Sequence, residues 1–171
     1  GGIAAYKVAD LTRRFIKAGA DVRVVMTAAA CRFITPVTLQ ALSGQAVYTD
    51  LWDARIRDNM GHIELSRDRD WILVAPASAD FMAKVANGQG DDLLSTLCLA
   101  RRIPLALAPA MNVEMWDNPA TRRNLARLRE DGVALLGPEA GDQACGETGM
   151  GRMLEPAALF DALAALLGPR T

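Results

Sequence analysis

Three side chains of different chemistry stand apart from the rest of this chain. Asn112 follows an apolar run, Pro104 to Ala108, that reads as a buried strand, and Met111, Met115 and Trp116 surround it. A carboxamide donates and accepts hydrogen bonds without carrying charge. It can hold a carboxylate that is about to leave as a neutral gas, where a fixed cation would stabilise the charged ground state more than the transition state. Cys145 sits among Gly141, Gly146, Gly149 and Gly151, and so many glycines predict a flexible, hairpin-like flap rather than a packed element. Free cysteines are normally buried small hydrophobes. A thiol on such a flap reads instead as a proton donor, since thiols are mostly protonated at neutral pH; the bland alternative is a connecting loop. His62, the single histidine, lies in Met60-Gly61-His62-Ile63-Glu64-Leu65. A neutral imidazole can accept a proton near neutral pH; taken alone, it reads as a surface or capping residue.

Strands alternating with helices must position these groups. Val8, Leu11, Phe15 and Ala18 recur at helical spacing, with Gly19 at the C-cap place. Val22 to Met26 is a short β-branched run, hence a strand, and Ala28 to Phe33 a helical turn. Thr35-Pro36 opens a helix to about Leu42 by the cap-plus-proline signal. Residues 45–60 give no clear pattern, and 63–67 fit a short helix or a strand equally. Trp71 to Ala75 reads as a buried strand ended by Pro76-Ala77-Ser78, with Ser78 capping a helix to Ala86. Asp91-Asp92 precede a helix from Leu93 to Ala100, acids at its N-terminus as the helix dipole favours. Asn118-Pro119 starts a helix to Glu130, Val133 to Leu136 is the last strand, and Glu155-Pro156 opens a closing helix to Leu167. Such alternation predicts a parallel sheet covered on both faces. Gly1-Gly2-Ile3-Ala4 feeds a helix with no strand before it, whereas such a glycine pair normally follows one. The expectation is a fragment lacking its first strand, with Gly168 to Thr171 as a domain end.

Composition narrows the function classes. The 171 residues suit one domain with a real core, and 51% are hydrophobic. A net charge of −1 argues against polyanion binding, and 5% aromatics argue against single-strand stacking platforms, so no nucleic-acid partner is expected. No apolar run reaches spanning length, so no membrane partner is expected either. Cys31, Cys98 and Cys145 form an odd, widely spaced set that fits a reducing cytoplasm; Cys31 and Cys98 fall in helical patterns and are expected in the core. One histidine and no Cys-x-x-Cys pair give no metal site.

Three strand ends carry small or polar residues: Thr27, then Pro76 to Asp80, then Pro109 to Asn112. With Gly1-Gly2 they would line one rim of the sheet, where helix N-termini offer free amides to a phosphate. Thr27 and Ser78 taken singly read as helix caps; their joint placement suggests a nucleotide-like cofactor.

Together these residues resemble the flavin-dependent cysteine decarboxylases, in particular the phosphopantothenoylcysteine decarboxylase family. The likeness is greatest to the amino-terminal half of the bacterial bifunctional decarboxylase–synthetases. Gly61-His62-Ile63-Glu64-Leu65 is similar to the family's histidine motif. Pro109-Ala110-Met111-Asn112 with Met115-Trp116 is similar to its carboxylate motif, and Ala144-Cys145-Gly146 with Gly149 to Met153 to its substrate clamp. The resemblance implies a three-layer α/β, Rossmann- or flavodoxin-like domain over 1–171, a fragment with its first strand missing. It implies FMN, held by Gly1, Gly2, Ile3, Ala4, Thr27, Phe33, Ser78, Ala79 and Asp80; some members carry Asn where Asp80 stands. Met111, Asn112, Ala144, Gly146 and Arg152 would bind substrate, while His62 and Cys145 would be catalytic. The implied reaction oxidises a cysteinyl thiol toward a thioaldehyde, loses the neighbouring carboxylate to give an enethiolate, then returns hydride and proton. A homotrimer or dodecamer with flavin sites between subunits, and a fused synthetase domain, follow from the same resemblance. Alternatives on the same scaffold are a peptide-cysteine decarboxylase that stops at the enethiol, a flavin prenyltransferase, and a regulatory subunit without turnover.

Overall fold

The computed structural model describes residues 1–53, 55 and 60–168, and of His62 the backbone alone. After a 3-10 turn (Ile3–Tyr6), the chain runs α1 (Lys7–Lys17), β1 (Val24–Val25), a second 3-10 turn (Ala30–Arg32), α2 (Pro36–Ser43) and β2 (Val47–Tyr48). Next come α3 (Gly61–Glu64), β3 (Ile72–Ala77), α4 (Ala79–Ala86), α5 (Leu93–Ala100), β4 (Leu105–Pro109), α6 (Val113–Asp117) and α7 (Pro119–Glu130). The last elements are β5 (Ala134–Leu135), β6 (Glu139–Asp142), β7 (Thr148–Arg152) and α8 (Pro156–Leu167).

Local chemistry explains the helix ends. Gly19 takes φ +81° just past α1, as a C-cap glycine must. Ser78 Oγ accepts from Phe81 N–H at 3.1 Å to start α4. Asp92 and Ser95 cap α5 reciprocally at 2.7 and 3.0 Å. Asn118 Oδ1 accepts from Ala120 N–H at 2.9 Å to start α7. Thr35 occupies the N-cap of α2 but makes no cap bond; its hydroxyl meets Thr38 Oγ1 at 3.2 Å instead.

All strands of the main layer are parallel. β4 is central, between β3 and β5, and each of its five residues is buried. Its side chains alternate: Leu105 and Leu107 join Met82, Leu97 and Leu128 on one face, and Ala106 and Ala108 join Leu11, Leu159 and Leu163 on the other. Helices α4, α5 and α7 thus cover one face, α1 and α8 the other. Each fully buried leucine contributes about 2 kcal/mol by area removed from water.

The sheet is interrupted. β1 pairs with β2 (Val24 with Val47), β3 with β4 and β4 with β5, but β1 does not pair with β3. Between them lies a cavity of about 670 Å³ lined by Val22 to Met26, Ile72 to Pro76, Leu11, Phe15, Leu163 and Gly1.

Several expectations need correction. The strand expected over Val22 to Met26 pairs only at Val24–Val25. That over Trp71 to Ala75 starts one residue later and runs through Pro76 to Ala77, beside Pro109. The unreadable stretch from 45 contains β2, and residues 54 and 56–59 lie outside the described ones, as do 169–171. Of the undecided stretch 63–67, Ile63 and Glu64 end a short helix, Gly61–Glu64, and the rest is turn, not strand. Among the described residues no helix is long and apolar enough to cross a membrane.

Candidate functional site

The carboxyl ends of β3 and β4 meet directly. Ala110 N–H donates to Ala77 O at 3.0 Å, so the turn after β4 is stitched to the start of α4. Asn112 is the N-cap of α6, a short helix the sequence did not announce; its Oδ1 accepts from Met115 N–H at 2.9 Å. That bond fixes the amide's rotation and engages its oxygen. Trp116, 5% exposed, anchors α6 in the core, and the Arg122 guanidinium stacks over its ring at 5.0 Å. Met111 is half-buried against the same core.

The glycine-rich segment is a paired ribbon. β6 and β7 form an antiparallel ladder, Gly141 opposite Gly149 and Asp142 opposite Thr148. The expected flap without packing is therefore corrected: β7 lies on α6 and the residues before it. Met111 N–H donates to Gly151 O at 2.9 Å. A Cβ on Gly151 (φ +133°) would stand 2.2 Å from Met111 O, and one on Gly149 2.7 Å from Val113 Cγ2. These glycines permit close approach, where the sequence predicts only flexibility.

Ala144, Cys145 and Gly146 form the exposed tip. Cys145 Sγ donates to Glu147 Oε2 at 3.5 Å and lies 3.9 Å from Gln143 Oε1. At the ribbon's base, Arg152 Nη2 donates to Glu155 Oε1 at 2.7 Å, and buried Lys7 donates to the same oxygen at 2.8 Å and to Met153 O at 3.1 Å. The Lys7 and Arg152 hydrogen bonds, in that order, hold the Glu155 carboxyl below the usual range. Arg152 is thus engaged by Glu155, on a carboxylate shared with α1.

The opposite end of the rim gathers the residues expected to hold a phosphate-bearing cofactor. Thr27 Oγ1 accepts from Ala30 N–H at 3.1 Å, shaping a turn against which Gly1 packs so closely that a Cβ there would stand 2.6 Å from Ala29 Cβ and Ala30 N. Around Gly2 nothing lies where a Cβ would point. Asp80, largely exposed, is 3.9 Å from Lys84 Nζ, whose pKa is raised chiefly by its hydrogen bond to Asp91. Ile3 and Phe33 are exposed, while Ala4 is buried, so Ala4 can offer a ligand only its backbone. Ala79 is the first residue of α4, beside Ser78. An open glycine corner, a first helical turn and two apolar faces at one sheet edge suit a flavin nucleotide.

His62 belongs to α3, which packs on α5; its side chain lies outside the described residues. The structure thus joins Asn112, Met111 and the Cys145 ribbon in one assembly, and Gly1, Thr27 and Asp80 at a second corner linked to it through Ala77–Ala110. Cys98 is buried, which pushes its thiol up to about 12, and Cys31 is only half-buried. Sequence reading missed Gln143, Glu147, Lys7 and Glu155. Gln143 had a signal, a side-chain amide beside a glycine-rich tip.

Known proteins share this architecture. Residues 1–168 match the model of the Flavoprotein family. The chain is 56% identical over 156 residues to the coenzyme A biosynthesis bifunctional protein CoaBC of Vibrio vulnificus, covering 91% of this chain and 39% of that protein. It is 50% identical over 169 residues to the CoaBC of Escherichia coli K12, covering 99% and 42%. The chain therefore spans about two fifths of these relatives' length. Among solved structures, a cysteine-to-serine mutant of a PPC decarboxylase complexed with pantothenoylaminoethenethiol superposes with TM-score 0.86 at 36% identity, covering 97% of this chain and 93% of that one. The FMN-dependent cysteine decarboxylase SpaF superposes with TM-score 0.78 at 32% identity, covering 96% and 93%. By the match along nearly its whole length, this chain belongs to the Flavoprotein family.

Proposed function

We propose that this domain decarboxylates 4'-phosphopantothenoylcysteine to 4'-phosphopantetheine with FMN, a step of coenzyme A biosynthesis. The observation that carries this reading is the docking of the Cys145 ribbon onto the Asn112 segment, which places a thiol and an oriented amide on one assembly at the strand ends. The relatives' names support the pathway, and those of the solved neighbours support the cysteine substrate and the cofactor.

FMN, held by Gly1 to Ala4, Thr27, Phe33 and Ser78 to Asp80, would supply the two-electron oxidation of the thiol and the later return of those electrons. Asn112 NH2 orients the substrate carboxylate without neutralising it, so loss of carbon dioxide relieves no favourable ion pair. Met111 packs along the bound chain. His62 accepts the thiol proton. Cys145 gives a proton to the enethiolate as reduction completes the product, with Ala144 and Gly146 shaping the tip and Arg152 holding the ribbon's base. The ribbon, lying over the site, keeps water from the intermediate. In the same reading, three subunits or clusters of trimers share flavin sites, a synthetase domain is joined to this one, and the enzyme works in the cytoplasm.

Incubating the protein with FMN and phosphopantothenoylcysteine should release carbon dioxide and give a product with the mass of phosphopantetheine. A product two hydrogens lighter would instead identify a peptide-type oxidative decarboxylase. Flavin binding without turnover would identify a regulatory subunit.

A further inference from the structure

We propose that Gln143 is a positioning residue that latches the Cys145 ribbon to the Asn112 segment and so fixes the proton donor relative to the carboxylate anchor. Gln143 lies just past β6, and its carboxamide works in both directions. Oε1 accepts from Val113 N–H at 3.0 Å, and Nε2 donates to Met150 O at 3.1 Å. The same oxygen is 3.9 Å from Cys145 Sγ. The Gln143 backbone closes the tip, donating to Glu147 O at 2.8 Å and accepting from Gly146 N–H at 2.9 Å.

Val113 is the first residue of α6, directly after Asn112. The amino end of that helix is therefore satisfied by two carboxamides: Asn112 itself, to Met115 N–H, and Gln143 reaching across from the ribbon. A latch of this form needs one acceptor and one donor on a single flat group. An amide supplies both, whereas a carboxylate supplies only acceptors and an apolar side chain neither. Gly151 and Gly149 make the approach sterically possible, and Gln143 makes it favourable. The bond to Val113, which joins ribbon to helix, is part-buried, and the bond to Met150, within the ribbon, is exposed and orients the carboxamide; loss of the first shifts the docked population by about tenfold.

Because the catalytic half of this proposal presumes the decarboxylase function above, the test has two independent readouts. The full-length protein is compared with Gln143→Ala and Gln143→Glu. The first readout is amide hydrogen exchange at Met111, whose N–H binds Gly151 O and not Gln143, with the β4 amides as a control for folding. The second is the ratio of complete product to the species two hydrogens lighter. In Gln143→Ala, Met111 should exchange about tenfold faster while β4 is unchanged, and the lighter species should accumulate. Gln143→Glu keeps the acceptor for Val113 but not the donor to Met150, so it should fall between the two. Where Gln143→Ala disturbs β4, Gln143→Glu carries the test alone. Unchanged Met111 exchange in a folded variant would overturn the latch, and faster exchange with an unaltered product ratio would overturn its role in positioning Cys145. If the unsubstituted protein forms no decarboxylated product, the function fails separately, and Met111 exchange still decides whether Gln143 docks the ribbon.

Discussion

The Asn112 shelf and the Cys145 ribbon touch each other but are held in opposite ways. The shelf follows five consecutive buried residues, is stitched to β3 through Ala110, and carries Trp116 as an anchor. The ribbon's strands are mostly exposed or half-buried, its tip is open, and its place depends on Gln143, two closely packed glycines and the Lys7–Glu155–Arg152 cluster. Elements with few buried contacts open at low free energy, and core strands only near global unfolding. In the proposed reaction, orientation of a leaving carboxylate falls to the stiff element. A proton donor that must also admit substrate and release product can sit on the element that opens.

The largest break in this comparison is Cys145→Ser. It keeps the ribbon's shape but removes the acidic proton, and formation of complete product should fall about 1000-fold while oxidative decarboxylation persists. Mass spectrometry should then find the species two hydrogens lighter; normal product would remove Cys145 from the chemistry. Next is Asn112→Asp. Aspartate caps a helix as well as asparagine, so the shelf stays folded, but a second charge beside the substrate carboxylate should lower kcat/KM by about 100-fold. Unchanged steady-state kinetics would refute the assigned role of the amide.

The smallest effect sharpens how the ribbon's base is held. Glu155→Gln leaves the Lys7 ammonium, 6% exposed, without its counter-charge, and urea unfolding should show a loss of about 1–2 kcal/mol, limited by the half-exposure of Glu155. The Glu155 pKa is lowered from 4.5 in the folded state. Its contribution is therefore fully present above that value and is lost as pH falls through the lowered folded pKa. The difference between the two proteins should be flat near neutrality and shrink in acid; a difference that grows in acid would show that the ion pair is not its source.

The long helices were legible because their boundaries are written in local chemistry: Asp92, Asn118-Pro119 and Glu155-Pro156 mark starts that the structure keeps. β1, β2 and β5 were shorter or hidden because a two-residue pairing depends on the partner strand rather than on any run of side chains. α6 is not legible because five residues carry too little periodicity, and in the sequence Asn112 stands out as a ligand group rather than as a cap. The glycines of the ribbon are the least legible. Composition alone cannot separate a glycine that bends from one that makes room, and Gly149 and Gly151 make room.

By itself the sequence determined which groups were available for chemistry: an imidazole, an uncharged amide, a thiol among glycines, and small residues at the ends of apolar strands. It also determined the alternation that forces a parallel sheet between helical layers. Only the tertiary structure decided that the amide's oxygen is spent on a helix end, that the thiol's ribbon is docked rather than free, and that Gln143 and Glu155 hold it there. The reason is range. Caps and periodicities act within one turn of chain, whereas the bond from Val113 to Gln143 and the one from Lys7 to Glu155 join residues 30 and 148 positions apart, and exist only once the core has brought them together.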